Sequence, residues 1–194
     1  RIYRMNGLKL NLGCGEKRFP GYINVDKYGS PDIKHDLESF PWPWETNSVS
    51  DIVLIHVLEH LGKDVEIYFG IFKEMYRICT HGAKIRIAVP HFRHQFFYDD
   101  PTHVRVVTPL SLSLFSQRLN KLWVEQGATN SPLGIYLDIN FELKQTAIKP
   151  TEKQSLLLRE AMQRTAEGES FVPLISECAA AILAGNRDFQ KIYH

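Results

Sequence analysis

Three short stretches carry residue types that can do chemistry. Gly13-Cys14-Gly15 closes an apolar run of Leu8, Leu10 and Leu12, and a second run, Tyr22-Ile-Asn-Val, ends on Asp26. Glycines let a backbone turn sharply and pass close to a ligand, because they carry no Cβ. A carboxylate one strand away can accept hydrogen bonds from both hydroxyls of a ribose. The plainer alternative is a tight turn at Gly13 and Gly15, with Asp26 capping a helix or turn. His56, Glu59 and His60 form the second stretch. Positions three and four apart share a helical face, so His56 can meet both of the others, and imidazoles with a carboxylate can bind a divalent ion that His103 completes. The other reading, which we take first, is a hydrogen-bonded helix start. The third stretch runs from His91 to Val107. Within it His103 can serve as a general base, Asp100 can orient it and Arg105 can anchor an anion. Alternatively, Asp100-Pro-Thr-His103 only makes a capped turn.

These residues need elements to hold them. Leu8–Leu12 reads as a buried strand, Asp32–His35 as a short one and Asp51–Ile55 as a continuous apolar strand of the kind covered on both faces in a parallel sheet. Phe40-Pro-Trp-Pro-Trp44 is a rigid loop. Val65, Tyr68/Phe69, Phe72, Met75/Tyr76 and Cys79 recur at helical spacing, with Gly82 where a C-cap belongs. Lys84–Val89 is the next strand, stopped by Pro90. Thr108-Pro109 predicts an N-cap with proline at the first helical position, and Leu110, Leu114, Phe115 and Leu119 as the apolar side. Ile135, Leu137, Ile139, Phe141 and Leu143 alternate, which predicts one or two late strands over residues 135–148. From Thr151 the pattern is helical. Strands separated by helical patterns imply an α/β fold, a mostly parallel sheet with helices on both faces. We expect this domain to span residues 1–150. A helical extension, 151–194, can then close the sheet or pair with another subunit.

Composition narrows the classes further. Lys and Arg total 23 against 22 acidic residues, so the overall charge calls for neither nucleic acid nor an anionic membrane. Arg93, Arg105, Arg118 and Lys121 are scattered and make no nucleic-acid stripe. Cys14, Cys79 and Cys178 are few and far apart, against a disulfide framework and toward a reducing compartment. No run approaches the roughly 18 apolar residues of a membrane span, and the first residues lack a signal-peptide pattern. These observations lead us to expect a cytoplasmic protein.

The glycine turn fits either a dinucleotide or a nucleoside-type cofactor. A dinucleotide site wants a third glycine so that the pyrophosphate can sit on a helix N-terminus, but Glu16 and Lys17 follow Gly15. A carboxylate there repels pyrophosphate. S-adenosylmethionine has no phosphate and carries a cationic sulfonium and ammonium, beside which Glu16 is tolerable.

The ordered set Leu-Asn-Leu-Gly-Cys-Gly15, Val-Asp26, His35-Asp36-Leu37, Asn47-Ser-Val-Ser-Asp51, His56-Val-Leu-Glu-His-Leu61 and Ile87-Ala-Val-Pro90 resembles class I S-adenosylmethionine-dependent methyltransferases. The resemblance covers about residues 8–120 and is closest to small predicted members of the type 11-like group that carry a Val-Leu-Glu-His-Leu run. It implies a Rossmann-like sheet and a methyl transfer to a hydroxyl or amine of a small molecule, a sugar among them. It also implies that Gly13, Cys14 and Gly15 turn against the methionine part of the cofactor and that Asp26 binds the ribose. Asp36 would accept from the adenine amino group, Leu37 would pack on the ring and His56 would border the sulfonium. The Glu59-His60 pair with His103 is similar to the Glu-x-x-Glu-His site of metal-dependent small-RNA 2′-O-methyltransferases, with His56 in place of the first Glu. That leaves RNA ribose methylation as one alternative. A non-catalytic module that binds the cofactor or a partner subunit through its tail is another.

The chain departs from the pattern at Asn11, where the family often has an acid. It departs again in the short spacing from Gly15 to Asp26, where such sites ordinarily allow about 20 residues. The first helix must therefore shrink to a turn or less.

Overall fold

The computed structural model describes residues 7–147 together with Leu156, Arg159 and Gln163. Two compact units are distinguished, residues 1–92 with 100–144, and residues 93–99 with 145–194. The larger unit holds five strands, β1 (Leu8–Leu12), β2 (Ile23–Asp26), β3 (Ile33–Lys34), β4 (Val49–Ile55) and β5 (Cys79–Ala88). They form one all-parallel sheet in the order β3-β2-β1-β4-β5. The chain is thus an α/β protein. Strand β1 lies between β2 and β4, so the strand order reverses at its carboxyl end. In open α/β sheets that reversal opens the crevice in which ligands sit.

Leu8, Leu10, Leu12, Val25, Ile52 and Leu54 are buried along the strands and pack with helix α1 (Val65–Ile78). Each large side chain of this kind contributes about 1.5–3 kcal/mol on burial. Asp64 caps α1 by accepting from the Glu66 amide at 2.8 Å. The buried stripe of α1 is Tyr68, Ile71, Phe72, Met75 and Ile78, whereas Val65 and Tyr76 are exposed. The expected C-cap at Gly82 gives way to Cys79, whose amide bonds to Met75 as β5 begins. Gly82 instead lies inside β5 at φ 76°, where the register to β4 shifts.

The opposite sheet face is different in character. Lys9, Lys84, Arg86 and Ala88 are exposed on it, Lys9 and Lys84 both being register partners of Asp51. The helices expected on both faces are therefore found, within this unit, on the apolar face. There α3 (Pro109–Ser113) and α5 (Leu133–Tyr136) contribute Leu112 and Leu133 to the same core, and α4 (Gln117–Glu125) runs between them in sequence.

Thr108 and Pro109 start α3 as expected, and Thr108 and Ser111 form a reciprocal capping box. The helix then stops, and Ser116 recaps α4 by accepting from Leu119 at 3.3 Å. The strands expected over 135–148 do not form among the described residues. Residues 133–136 are helical, and the Ile139 and Phe141 amides bond to the Gly134 and Phe115 carbonyls rather than to the sheet. The alternation there reflects burial of Ile139 and Phe141 against the helices, without a ladder. A short helix, α2 (Gln95–Asp99), belongs to the second unit. Of the 151–194 extension, only Leu156, Arg159 and Gln163 are described and each is helical; the rest lies outside the described residues. No helix among the described residues is long and apolar enough to cross a membrane.

Candidate functional site

The carboxyl ends of β1, β2 and β4 bring most of the expected site residues to one edge of the sheet. Gly13 follows β1 at φ 66°, and a Cβ there would stand 2.5 Å from a methyl of Val57, just past β4. Both the backbone angle and the close approach demand glycine. Gly15, at φ 48°, has open space where a Cβ would be. Its amide donates to Asp26 Oδ2 at 2.8 Å, and the Tyr28 amide donates to Oδ1 at 2.8 Å. The Cys14 amide bonds to the Val25 carbonyl at 3.0 Å. Asp26 therefore ties the glycine turn to β2 and keeps a lone pair on each oxygen for a further donor. Cys14 is buried, and burial followed by the Asp26 charge pushes its thiol above the ordinary value.

The link from β1 to β2 contains no helix, and side-chain amides do the work that helix would have done. Asn11, buried at the end of β1, donates to the Lys17 carbonyl at 2.8 Å and to Asn24 Oδ1 at 2.9 Å. Asn24 Oδ1 also accepts from the Phe19 amide, while the Asn24 backbone and side-chain nitrogens both donate to Asp32 Oδ2 at 2.8 Å. Those bonds hold the Asp32 carboxyl below its usual value.

Asp36 accepts from the Glu38 amide at 3.0 Å and lies 3.7 Å from Lys27 Nζ. Leu37 belongs to the core, at 5% exposure, and its carbonyl accepts from the Trp42 indole at 3.1 Å. Trp42 and Trp44 of the proline-rich loop are also buried. Arg77 of α1 holds their carbonyls, at 3.1 and 2.9 Å, while Glu74 accepts from the Trp42 amide.

At the end of β4, His56 adopts φ 56°, a left-handed conformation that costs a non-glycine residue roughly 1–2 kcal/mol. Its side chain is 58% exposed, and its Nδ1 stands 3.4 Å from Glu59 Oε1. Leu58–His60 form a 3₁₀ turn that buries Glu59 completely. Neither carboxylate oxygen of Glu59 has a hydrogen-bond partner, and the His56 contact lies outside hydrogen-bonding geometry. A buried, unpartnered carboxylate is costly. The Val104 and Arg105 amides both donate to the Glu59 carbonyl, at 2.9 and 3.2 Å, which brings the returning loop alongside the turn. Glu59, His60 and His103 thereby offer ligand atoms that all lie within 4.8 Å of one another. His56 is outside that group.

The Asp100–His103 segment forms the capped turn. Asp100 Oδ1 accepts from the Thr102 amide and hydroxyl, at 2.9 and 2.6 Å, which holds its carboxyl below the usual range. Its other oxygen lies 3.9 Å from His103 Nε2, too far for a hydrogen bond. The His103 side chain is only 6% exposed and its ring meets His60 edge-on, the centroids 4.5 Å apart. Arg105 bonds to the Gly62 carbonyl and lies over the Tyr68 ring at 4.0 Å, so it braces the turn. Burial pushes the Tyr68 hydroxyl up to about 12 despite that cation.

No protein-family model, curated protein or solved structure matches the chain. The functional reading therefore rests on these residues. Sequence reasoning missed Thr102 as the partner of His60 and the Asn11–Asn24–Asp32 network. Asparagines at neighbouring strand ends, with an Asp eight residues on, were the available signal for the network. Thr102 left none, since its partner lies in a distant turn.

Proposed function

We propose that the sheet is Rossmann-like and that the protein is an S-adenosylmethionine-dependent methyltransferase acting on a hydroxyl or amine of a small molecule. The observation that carries this reading is the glycine turn on the central strand, held by Asp26 at the end of the neighbouring strand, where the strand order reverses. The residues fit the cofactor. Gly15 leaves open space on the turn, and Asp26 keeps acceptor capacity for ribose hydroxyls. The bound cofactor would supply an electrophilic methyl group on sulfur. The chain itself would align the acceptor and remove its proton. We assign that proton to His56, the exposed imidazole at the end of β4, whose Nδ1 lies 3.4 Å from the Glu59 carboxylate. His103 is less suited because its side chain is nearly buried.

Thermal melting with S-adenosylhomocysteine tests the reading. The expected result is a rise in melting temperature that Asp26→Ala abolishes and His56→Ala preserves. A wild-type protein whose melting does not respond would refute cofactor binding. Equal loss in the two variants would refute the division of roles. Labelled methyl transfer to pooled small molecules separates an enzyme from a binding module, which would shift on melting yet transfer nothing.

A further inference from the structure

We propose that Glu59, His60 and His103 form a binding site for a divalent transition-metal ion of the zinc class. Three observations converge on it. Ligand atoms of the three residues lie within 4.8 Å of one another. Bonds of about 2.0–2.2 Å to one ion require donors roughly 3.4 Å apart, which a modest side-chain rotation supplies. Glu59 is completely buried, and both of its oxygens lack a hydrogen-bond partner, a state that a coordinated cation would resolve.

The tautomer of His60 is the third observation. The Thr102 hydroxyl has one proton and gives it to Asp100 Oδ1 at 2.6 Å, so at its 2.8 Å contact with His60 Nδ1 it can only accept. In the neutral ring His60 therefore carries its proton on Nδ1 and a lone pair on Nε2. A hydroxyl and carboxylate behind the imidazole play the part that outer partners play for metal-bound histidines, fixing the ring and its tautomer. Two imidazoles with one carboxylate suit zinc, cobalt or iron(II) better than magnesium, which prefers an all-oxygen shell. Three ligands leave room for further ligands on the ion, as at catalytic metal sites.

This inference stands apart from the methyl-donor reading, and its test needs neither cofactor nor acceptor. Chelator-stripped full chain is titrated calorimetrically with Zn²⁺ and with Mg²⁺. We expect one Zn²⁺ per chain with a dissociation constant in the micromolar range or tighter, and no heat from Mg²⁺ at the same concentrations. His60→Asn, His103→Asn and Glu59→Gln should each weaken Zn²⁺ at least tenfold, and Thr102→Val severalfold. Asp26→Ala should leave it unchanged. Variants are checked for folding by circular dichroism. Visible bands of the Co²⁺-loaded wild type, reduced in the folded histidine variants, provide a second measurement if Glu59→Gln does not fold. Absence of Zn²⁺ binding, or full retention of it in folded His60→Asn and His103→Asn, would overturn the site. Equal affinity for Mg²⁺ would overturn the choice of metal class.

Discussion

Asp26, at the end of β2, and Glu59, in the turn after β4, flank β1 at one end of the sheet and live in opposite circumstances. Asp26 is half-buried and each of its oxygens accepts a backbone amide, so it has a complete structural job before any ligand arrives. Glu59 is fully buried and neither of its oxygens has a hydrogen-bond partner, His56 Nδ1 standing 3.4 Å from Oε1. The contrast shows that residue type and spacing alone do not reveal whether a carboxylate is spoken for. Hydrogen-bond accounting does. Glu74 supplies a reference, being a little-exposed carboxylate with complete partners in Arg77 and the Trp42 amide.

Breaking the satisfied region should have the largest effect. Gly13→Ala must adopt φ 66° and meet Val57, so it should destabilise the fold by about 3 kcal/mol in urea denaturation. Adding Val57→Ala should relieve the clash but not the backbone cost. If Gly13→Ala is neutral, the turn is not the rigid feature described here.

Next comes the reference carboxylate. Burial raises the Glu74 pKa, but the Arg77 hydrogen bond and the Trp42 amide lower it by more, so the folded value is depressed. Its contribution should be complete above the ordinary glutamate value of 4.5 and drain away as pH falls through the folded value. Glu74→Gln should cost about 2 kcal/mol at pH 7 and progressively less in acid. A gap that does not change with pH would mean that the charge is not what matters.

Asp26→Ala removes the acceptor of two exposed amides and should cost only about 1 kcal/mol of stability. A loss several times larger would make Asp26 chiefly a scaffold residue. The smallest effect has the opposite sign. His56→Gly relieves the left-handed backbone and should stabilise the fold by about 1 kcal/mol. A loss of stability would mean that the His56 side chain supports the fold.

Much of the sheet was legible because its signals are local. Leu8–Leu12, the run before His56 and the Thr108-Pro109 start each depend on a few adjacent residues, and all appear where expected. The helix-free link after Gly15 was legible from spacing alone. The late alternation misled because Ile139 and Phe141 bury their side chains against helices, and a period of two records burial rather than hydrogen bonding. The exposure of Lys84, Arg86 and Ala88 on β5 also escaped notice, since it depends on which elements pack elsewhere. In the candidate site, the grouping of Glu59 with His60 was visible in the sequence. His103 was expected beside them as well, whereas the backbone bonds from Val104 and Arg105 to the Glu59 carbonyl that bring it there, and the place of His56 outside the group, have no signal in any motif.

The helix-free link between β1 and β2 also bears on how the chain folds. Leu10 finds Ile23 and Val25 finds Ile33 over short stretches of chain, whereas Leu12 must reach Leu54. Closing the shorter loops costs less entropy, and contacts close in sequence form sooner. Loop closure therefore favours early pairing of β1, β2 and β3, stitched by Asn11 and Asn24, and the edge that carries Glu59, His60 and His103 needs the longer closure that brings in β4 and the returning loop.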